Sequence, residues 1–152
     1  MNDHERYMTM ALEDARAAGR TGNRPIASLI VRGGEILGAG RNTMFSDFDP
    51  SAHAEIAALR DACGRLETLD LGGATLYTTI EPCPMCFWAM LEAKVSRLVM
   101  GGRYANIPGL NYDGYSVESF MEFMGRRVEL VTGVLQGQCE ALRIEWAKTH
   151  ST

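Results

Sequence analysis

The segment ATLYTTIEPCPMCFWAMLEA, from Ala74 to Ala93, constrains this chain more than any other. Its first seven residues are rich in β-branched side chains and include Tyr77, the composition of a strand. The strand runs into a turn bounded by Pro82 and Pro84, and the turn opens a helix. Cys83 and Cys86 fall at the start of that helix, and one helical turn brings both sulfurs to the same face.

The rest of the 152-residue chain fits around this unit. HERYMTMALEDARAAG places Tyr7, Met8, Ala11, Leu12, Ala15 and Ala18 on one helical stripe that Gly19 can end. IASLIVRGGEILGAGRN reads as a β-hairpin turning at Gly33 and Gly34. DPSAHAEIAALRDACG reads as a helix capped by Asp49 or Ser51, with Ala52, Ile56, Leu59 and Cys63 on one face and Gly64 at its end. After the cysteine helix come a short buried strand (RLVMGG), a loop (RYANIPGLNYDGYS), a short helix (VESFMEFMG), a strand (RVELVTG) and a closing helix (QCEALRIEWAKTH). Strands alternating with helices predict an α/β domain spanning residues 1–152, with a sheet between helices and an antiparallel hairpin at one end.

Composition narrows the function classes. The formal net charge is −4, which argues against loose, charge-driven binding of nucleic acid. The N-terminus carries acids and lacks a long apolar run, so no secretory signal is expected. No segment is apolar enough to span a membrane. The chain reads as cytoplasmic, and disulfides are not expected among Cys63, Cys83, Cys86 and Cys139. Cys63 and Cys139 sit within helical patterns and read as small buried groups.

The close pair Cys83 and Cys86 is then a metal-ligand pair or a redox dithiol. His53, near the start of the preceding helix, favours the metal. One His and two Cys suit Zn²⁺, and three protein ligands leave a fourth position for water, the arrangement of a catalytic zinc. Glu55, two residues from His53, is placed to take that water's proton and pass it on. Zinc lowers the pKa of its water towards about 7, so hydroxide is available at neutral pH. HAE with PCPMC matches the H-x-E…P-C-x-x-C signature of zinc deaminases.

From about RPIASLIV to QCEALR the sequence resembles the cytidine/deoxycytidylate deaminase superfamily. The resemblance implies a three-layer α-β-α fold with a central five-stranded mixed sheet, one zinc ion per subunit on His53, Cys83 and Cys86, a homodimer, and hydrolytic release of ammonia. Two subfamilies are similar in detail. RNTMFSDFDPSAHAEIAALR and ATLYTTIEPCPMC are similar to segments of bacterial tRNA adenosine deaminases, but RPIASL and GGRYANIPGL depart from that family's strand and substrate loop. DACGRLETLDLGGATLYTTI is similar to a stretch of fungal-type cytosine deaminases. Asn42 and Phe45 match that family's base-binding Asn and active-site Phe, and Trp146 its C-terminal tryptophan lid. Guanine deaminases share the zinc motif.

The resemblance therefore implies a nucleobase or nucleoside substrate, with cytosine favoured. Guanine deaminase and tRNA-specific adenosine deaminase are the alternatives, and tRNA is disfavoured as a partner. A non-catalytic, zinc-stabilised binding module is the alternative from another class, and Glu55 counts against it. Asn42 and the Ala54 N–H would orient the base. Glu81 would offer its carbonyl to the departing amine; the plain alternative for its side chain is simple surface exposure. Phe45 and Trp146 would stack on the base. Phe87 and Trp88 could fill the core, narrow the pocket or build a subunit contact. Tyr104, Tyr112 and Tyr115 lie on the loop where specificity could reside.

Overall fold

Gly33 and Gly34 both adopt positive φ (59° and 80°), which lets a two-residue turn match the twist of its flanking strands. The computed structural model describes residues 1–150 and places this turn between β1 (Ala27–Arg32) and β2 (Glu35–Arg41). Around the hairpin stand α1 (Asp3–Arg20), the one-turn α2 (Met44–Asp47), α3 (Ala54–Leu66), β3 (Thr75–Ile80), α4 (Pro84–Glu92), β4 (Arg97–Gly102), α5 (Val117–Met124), β5 (Glu129–Val131) and α6 (Gln136–Ala147). A 3₁₀ turn covers Tyr104–Asn106.

The five strands form one mixed sheet in the order β2-β1-β3-β4-β5. β1 runs antiparallel to both β2 and β3, with a bulge at Ile30/Val31. β3–β4 and β4–β5 are parallel, and each parallel pair is joined through a helix, as parallel strands require. Alternation along the strands divides the core in two. Ile30, Leu76, Leu98 and Met100 pack with Phe87, Met90 and Met121 on the side of α3, α4 and α5. Leu29, Val31, Tyr77 and Val99 pack with Met8, Leu12 and Cys139 on the side of α1 and α6. The result is the expected three-layer α-β-α sandwich. Among the described residues no helix is long and apolar enough to cross a membrane.

The α1 stripe is buried as expected, from Tyr7 to Ala18. The α3 face is not. Its buried residues are Ala54, Glu55, Ala58, Leu59 and Ala62, whereas Ile56 and Cys63 are half-buried. The reason lies on β2. A Cβ at Gly40 would sit 2.4 Å from both the Ala54 carbonyl oxygen and the Ala58 nitrogen, and one at Gly38 would sit 2.6 Å from the Ala62 nitrogen. Helix and strand meet backbone to backbone, so the smallest residues turn inward. Neither Asp49 nor Ser51 caps this helix. They bond to each other in the turn before it, with Ser51 N and Oγ on Asp49 Oδ1 at 2.8 and 2.7 Å. His53 holds the N-cap position. Gly64 does not end α3, which continues to Leu66 and closes at Glu67 in the left-handed conformation.

The short α2 was beyond the reach of periodicity. Buried Asn23 builds it from a distance, its Oδ1 accepting from the Phe45 and Ser46 N–H groups at 3.0 and 3.1 Å.

Gly40→Ala is expected to lower unfolding stability by about 1–3 kcal/mol or more, because the facing atoms are backbone and cannot yield cheaply. Gly64→Ala, on the exposed side of the same helix with open space around it, is expected to raise stability by roughly 0.5–1 kcal/mol. Urea denaturation of the two variants checks both signs.

Candidate zinc and catalytic site

Two helices start at the same place. His53 is the N-cap residue of α3, Cys83 is that of α4, and Cys86 lies one turn into α4. Both starts lie at the carboxyl end of β3, the end of a parallel sheet where ligand sites gather. His53 Nδ1 stands 3.5 Å from Cys83 Sγ and 3.4 Å from Cys86 Sγ, and the two sulfurs are 3.6 Å apart. Tetrahedral zinc, with Zn–S near 2.3 Å and Zn–N near 2.0 Å, puts its donors roughly 3.5–3.8 Å apart. The three donors therefore fit zinc in type and in spacing. Among the described residues this is the one His/Cys/Asp/Glu cluster with metal-ligand spacing. Cys63 and Cys139 are outside it.

Hydrogen bonding of Cys83 Sγ with Cys86 and His53 favours one thiolate in the cluster, pushing the Cys83 thiol down to about 4. Bonding to Cys83 raises the pKa of His53 against the opposing effect of burial. The free N–H groups at the two helix starts add favourable potential for thiolate.

Glu55 lies behind His53 and is 4% exposed. Burial raises its pKa, and the Thr78 hydroxyl pulls the other way. Thr78 Oγ1 is 2.6 Å from Glu55 Oε1 and 3.0 Å from the Ile80 carbonyl oxygen. A hydroxyl has one hydrogen and can also accept. Thr78 can donate to ionised Glu55, or accept from protonated Glu55 while donating to Ile80. It serves both states of the carboxyl without moving.

A small cavity of about 30 Å³, room for roughly one or two waters, adjoins the cluster. Its walls include Asn42, His53, Ala54, Glu55 and Glu81 together with Arg24, Tyr104, Leu110 and Arg143. Asn42 is buried and its Oδ1 accepts from the Met44 N–H at 3.1 Å, which commits the oxygen and leaves the amide N–H donors for the cavity. Ala54 is the first residue of α3, where a backbone N–H lacks an intrahelical partner. A wider cleft of about 290 Å³ lies outside, lined by Cys83, Tyr112 and Tyr115 and sharing Arg24, His53, Tyr104 and Leu110 with the inner cavity.

Three side chains depart from the sequence reading. Glu81 is not at the surface: it is 2% exposed. Its carboxylate accepts from Arg103 Nε and Nη2 (3.1 and 3.3 Å), from the Tyr104 N–H (3.0 Å) and from the Val117 N–H (2.7 Å). It fastens both ends of the 103–117 loop, and the Tyr115 hydroxyl donates to the Pro82 carbonyl beside it. Phe45 and Trp146 do not line the inner cavity. They pair with each other, centroids 6.1 Å apart, with Arg24 over Phe45 at 5.8 Å and Arg143 over Trp146 at 5.2 Å. Of the neighbouring pair after the second cysteine, Phe87 is fully buried against Phe120 while Trp88 is half exposed.

Sequence reasoning missed Thr78, Arg24 and Arg143. A signal for Arg143 existed: with Cys139 and Trp146 it occupies the buried stripe of α6, and an arginine at an inward helical position is uncommon.

The family model for the cytidine and deoxycytidylate deaminase zinc-binding region matches residues 1–102. A tRNA-specific adenosine deaminase of Bacillus subtilis is 36% identical over 140 residues, covering 91% of this chain and 85% of that protein. A solved structure from work on A-to-I editing by tRNA:A34 deaminases is 32% identical with a TM-score of 0.78, covering 90% of this chain and 98% of that one. The guanine deaminase from Nitrosomonas europaea is 28% identical with a TM-score of 0.83, covering 95% of this chain and 84% of that one.

Cys83→Ala or His53→Ala is expected to drop bound zinc well below one ion per chain in elemental analysis of dialysed protein, while Cys63→Ala keeps it. Glu81→Ala is expected to cost roughly 3–5 kcal/mol, the scale for removing one partner of a buried ion pair. Denaturant titration measures the loss, and limited proteolysis should locate the new flexibility between residues 103 and 117.

Proposed function

The chain belongs to the cytidine and deoxycytidylate deaminase zinc-binding family, and from that premise we propose that it hydrolyses the exocyclic amino group of a small aminopurine. The observation that carries the proposal is the placement of Glu55. It is a buried carboxyl with one hydroxyl partner, in the wall of a cavity that also holds His53, the Asn42 amide and the start of α3. The purine reading replaces the cytosine preference of the sequence. The relatives above are named for adenosine and guanine deamination, and none of them for cytosine.

Zinc bound to His53, Cys83 and Cys86 supplies Lewis-acid activation of water at neutral pH. The protein supplies the rest. Glu55 takes a proton from the attacking water and delivers it to the ring nitrogen, then takes the remaining proton of the added hydroxyl and passes it to the amine, which leaves as ammonia while the carbonyl forms. Thr78 holds the carboxyl through these changes of state. The Asn42 amide and the Ala54 N–H orient the ring through its acceptors. The Glu81 carbonyl receives the amino group, while the Glu81 side chain keeps the loop in place. Tyr104 and Leu110, shared by the inner cavity and the outer cleft, stand where an entering ring must pass and exclude water once it is seated.

A free base, nucleoside or nucleotide is favoured over tRNA by the narrowness of the inner cavity, walled in part by Tyr104 and Leu110 of the 103–117 loop, and by the net charge of −4. The similarity to tRNA-specific adenosine deaminases supports the second reading, an RNA substrate.

Ammonia release by zinc-loaded protein from guanine, adenine, cytosine, their nucleosides and nucleotides, and an anticodon stem-loop separates these readings. Turnover of a small purine is expected. Turnover of cytosine alone, or of the stem-loop alone, would sink the proposal. Glu55→Gln is expected to retain zinc and lose about 10²–10⁴-fold in kcat, the range for a positioned acid–base group.

A further inference from the structure

Arg143 is 2% exposed, and its Nε and Nη1 are buried with no hydrogen-bond partner among the described residues. It lines the same cavity as Glu55 and Asn42. Arg24 lines that cavity too, and its Nε is also buried and unpartnered. None of the ion pairs among the described residues includes either arginine. The two carboxylates in the cavity wall are committed elsewhere, Glu55 to Thr78 and Glu81 to Arg103 and backbone N–H groups.

Two like charges beside one cavity, Arg143 fully buried and Arg24 half-buried, neither in an ion pair, are costly. The cost is held in place by aromatic packing. Arg24 lies over Phe45, Arg143 over Trp146, the two rings pair, and His150 stacks on Trp146 with centroids 4.1 Å apart. Cation–aromatic contact fixes the plane of a guanidinium but leaves its in-plane N–H donors free. Arg24 Nη1 is taken by Met44 Sδ at 3.7 Å, which leaves Arg24 Nε and Arg143 Nε and Nη1 beside the cavity for a group that accepts hydrogen bonds and carries negative charge.

We propose that Arg143 and Arg24 form an oxyanion subsite, and that the substrate is an aminopurine nucleotide whose phosphate they bind. Guanidinium matches phosphate through parallel, charge-assisted hydrogen bonds. The assignment rests on the deaminase reading for its ring, but the arginine geometry stands independently of which amino group is lost. It gives Phe45 and Trp146 a positioning role, holding the arginines rather than stacking on the base. A phosphate of this kind is present in a free nucleotide and in RNA. The near-complete burial of Arg143 favours the free nucleotide.

The test uses the zinc-loaded full chain in two assays. The first compares kcat/KM for the base, nucleoside and 5′-monophosphate of guanine and of adenine, and for an anticodon stem-loop. The monophosphate is expected to exceed its nucleoside by about tenfold or more, the scale of one charge-assisted hydrogen bond. R143Q and R24Q are each expected to shrink that ratio towards one, with R143K in between. The second assay needs no turnover: inorganic phosphate should raise the thermal midpoint of the wild-type protein and not that of R143Q. Phosphate stabilisation that depends on Arg143, with no deamination of any compound, would support the subsite while refuting the proposed substrate. Stem-loop turnover that is sensitive to R143Q would support the subsite and assign its phosphate to RNA. A monophosphate no better than its nucleoside, or phosphate stabilisation equal in wild type and R143Q, would overturn the proposal. If R143Q fails to fold, R24Q and R143K carry the same comparison.

Discussion

The close approach of α3 to β2 is the constraint on which the site depends. Gly38 and Gly40 offer no side chains, and Ala54, Ala58 and Ala62 offer the smallest available, so two backbones touch. A contact of this kind has little slack, because any added atom meets backbone rather than a side chain that can turn away. It fixes the height and rotation of α3 against the sheet, and therefore the positions of His53 and Glu55 at its start. The Glu55–Thr78 bond ties the same turn to β3. β3 in turn delivers Cys83 and Cys86 through the Pro82–Pro84 corner. The metal ligands come from segments thirty residues apart in sequence, and the glycine-to-alanine contact brings them within one coordination sphere.

Two buried glutamates sit in one cavity wall and are set apart by their partners. Glu81 accepts four hydrogen bonds, two of them from a guanidinium. A carboxylate so surrounded serves as an anchor. Glu55 has one hydroxyl partner and no cation paired with it, and burial favours its protonated form. On the proposed mechanism, environment assigns the structural role to one carboxyl and the reactive role to the other.

Much of this was legible in the sequence, because it rests on local rules. The α1 stripe, the Gly33-Gly34 turn, the strand entering PCPMC and the helix after it each follow from periodicity or turn chemistry. The zinc cluster follows from residue type and spacing. The α3 face was misread because hydrophobicity was weighed without size: Ile56 and Cys63 look more like core than three alanines do, until the facing strand proves to carry glycines. The α3 cap was misread because Asp49 and Ser51 are good caps that instead bond to each other. Glu81 was misread because a glutamate next to Pro82 offers no local reason to be buried. Its four donors come from a loop more than twenty residues away. Such tertiary partners leave no trace in a window of sequence.

The aromatic residues teach the same lesson in the opposite direction. Phe45 and Trp146 look like base-stacking walls because a flat ring suits a flat substrate, yet a guanidinium is also flat, and here the arginines take those faces. Whole-chain charge would not have shown this. A net charge of −4 describes the far field, which acts on a polyanion over many ångströms of solvent and is screened within about 8–10 Å at physiological ionic strength. Inside the cavity two guanidiniums outside any ion pair act at short range, beside Glu55 and Glu81 in the same wall, in a medium of low polarisability. On the proposed reading, the net negative charge disfavours a long phosphate backbone, while a single small anion meets the two arginines at short range.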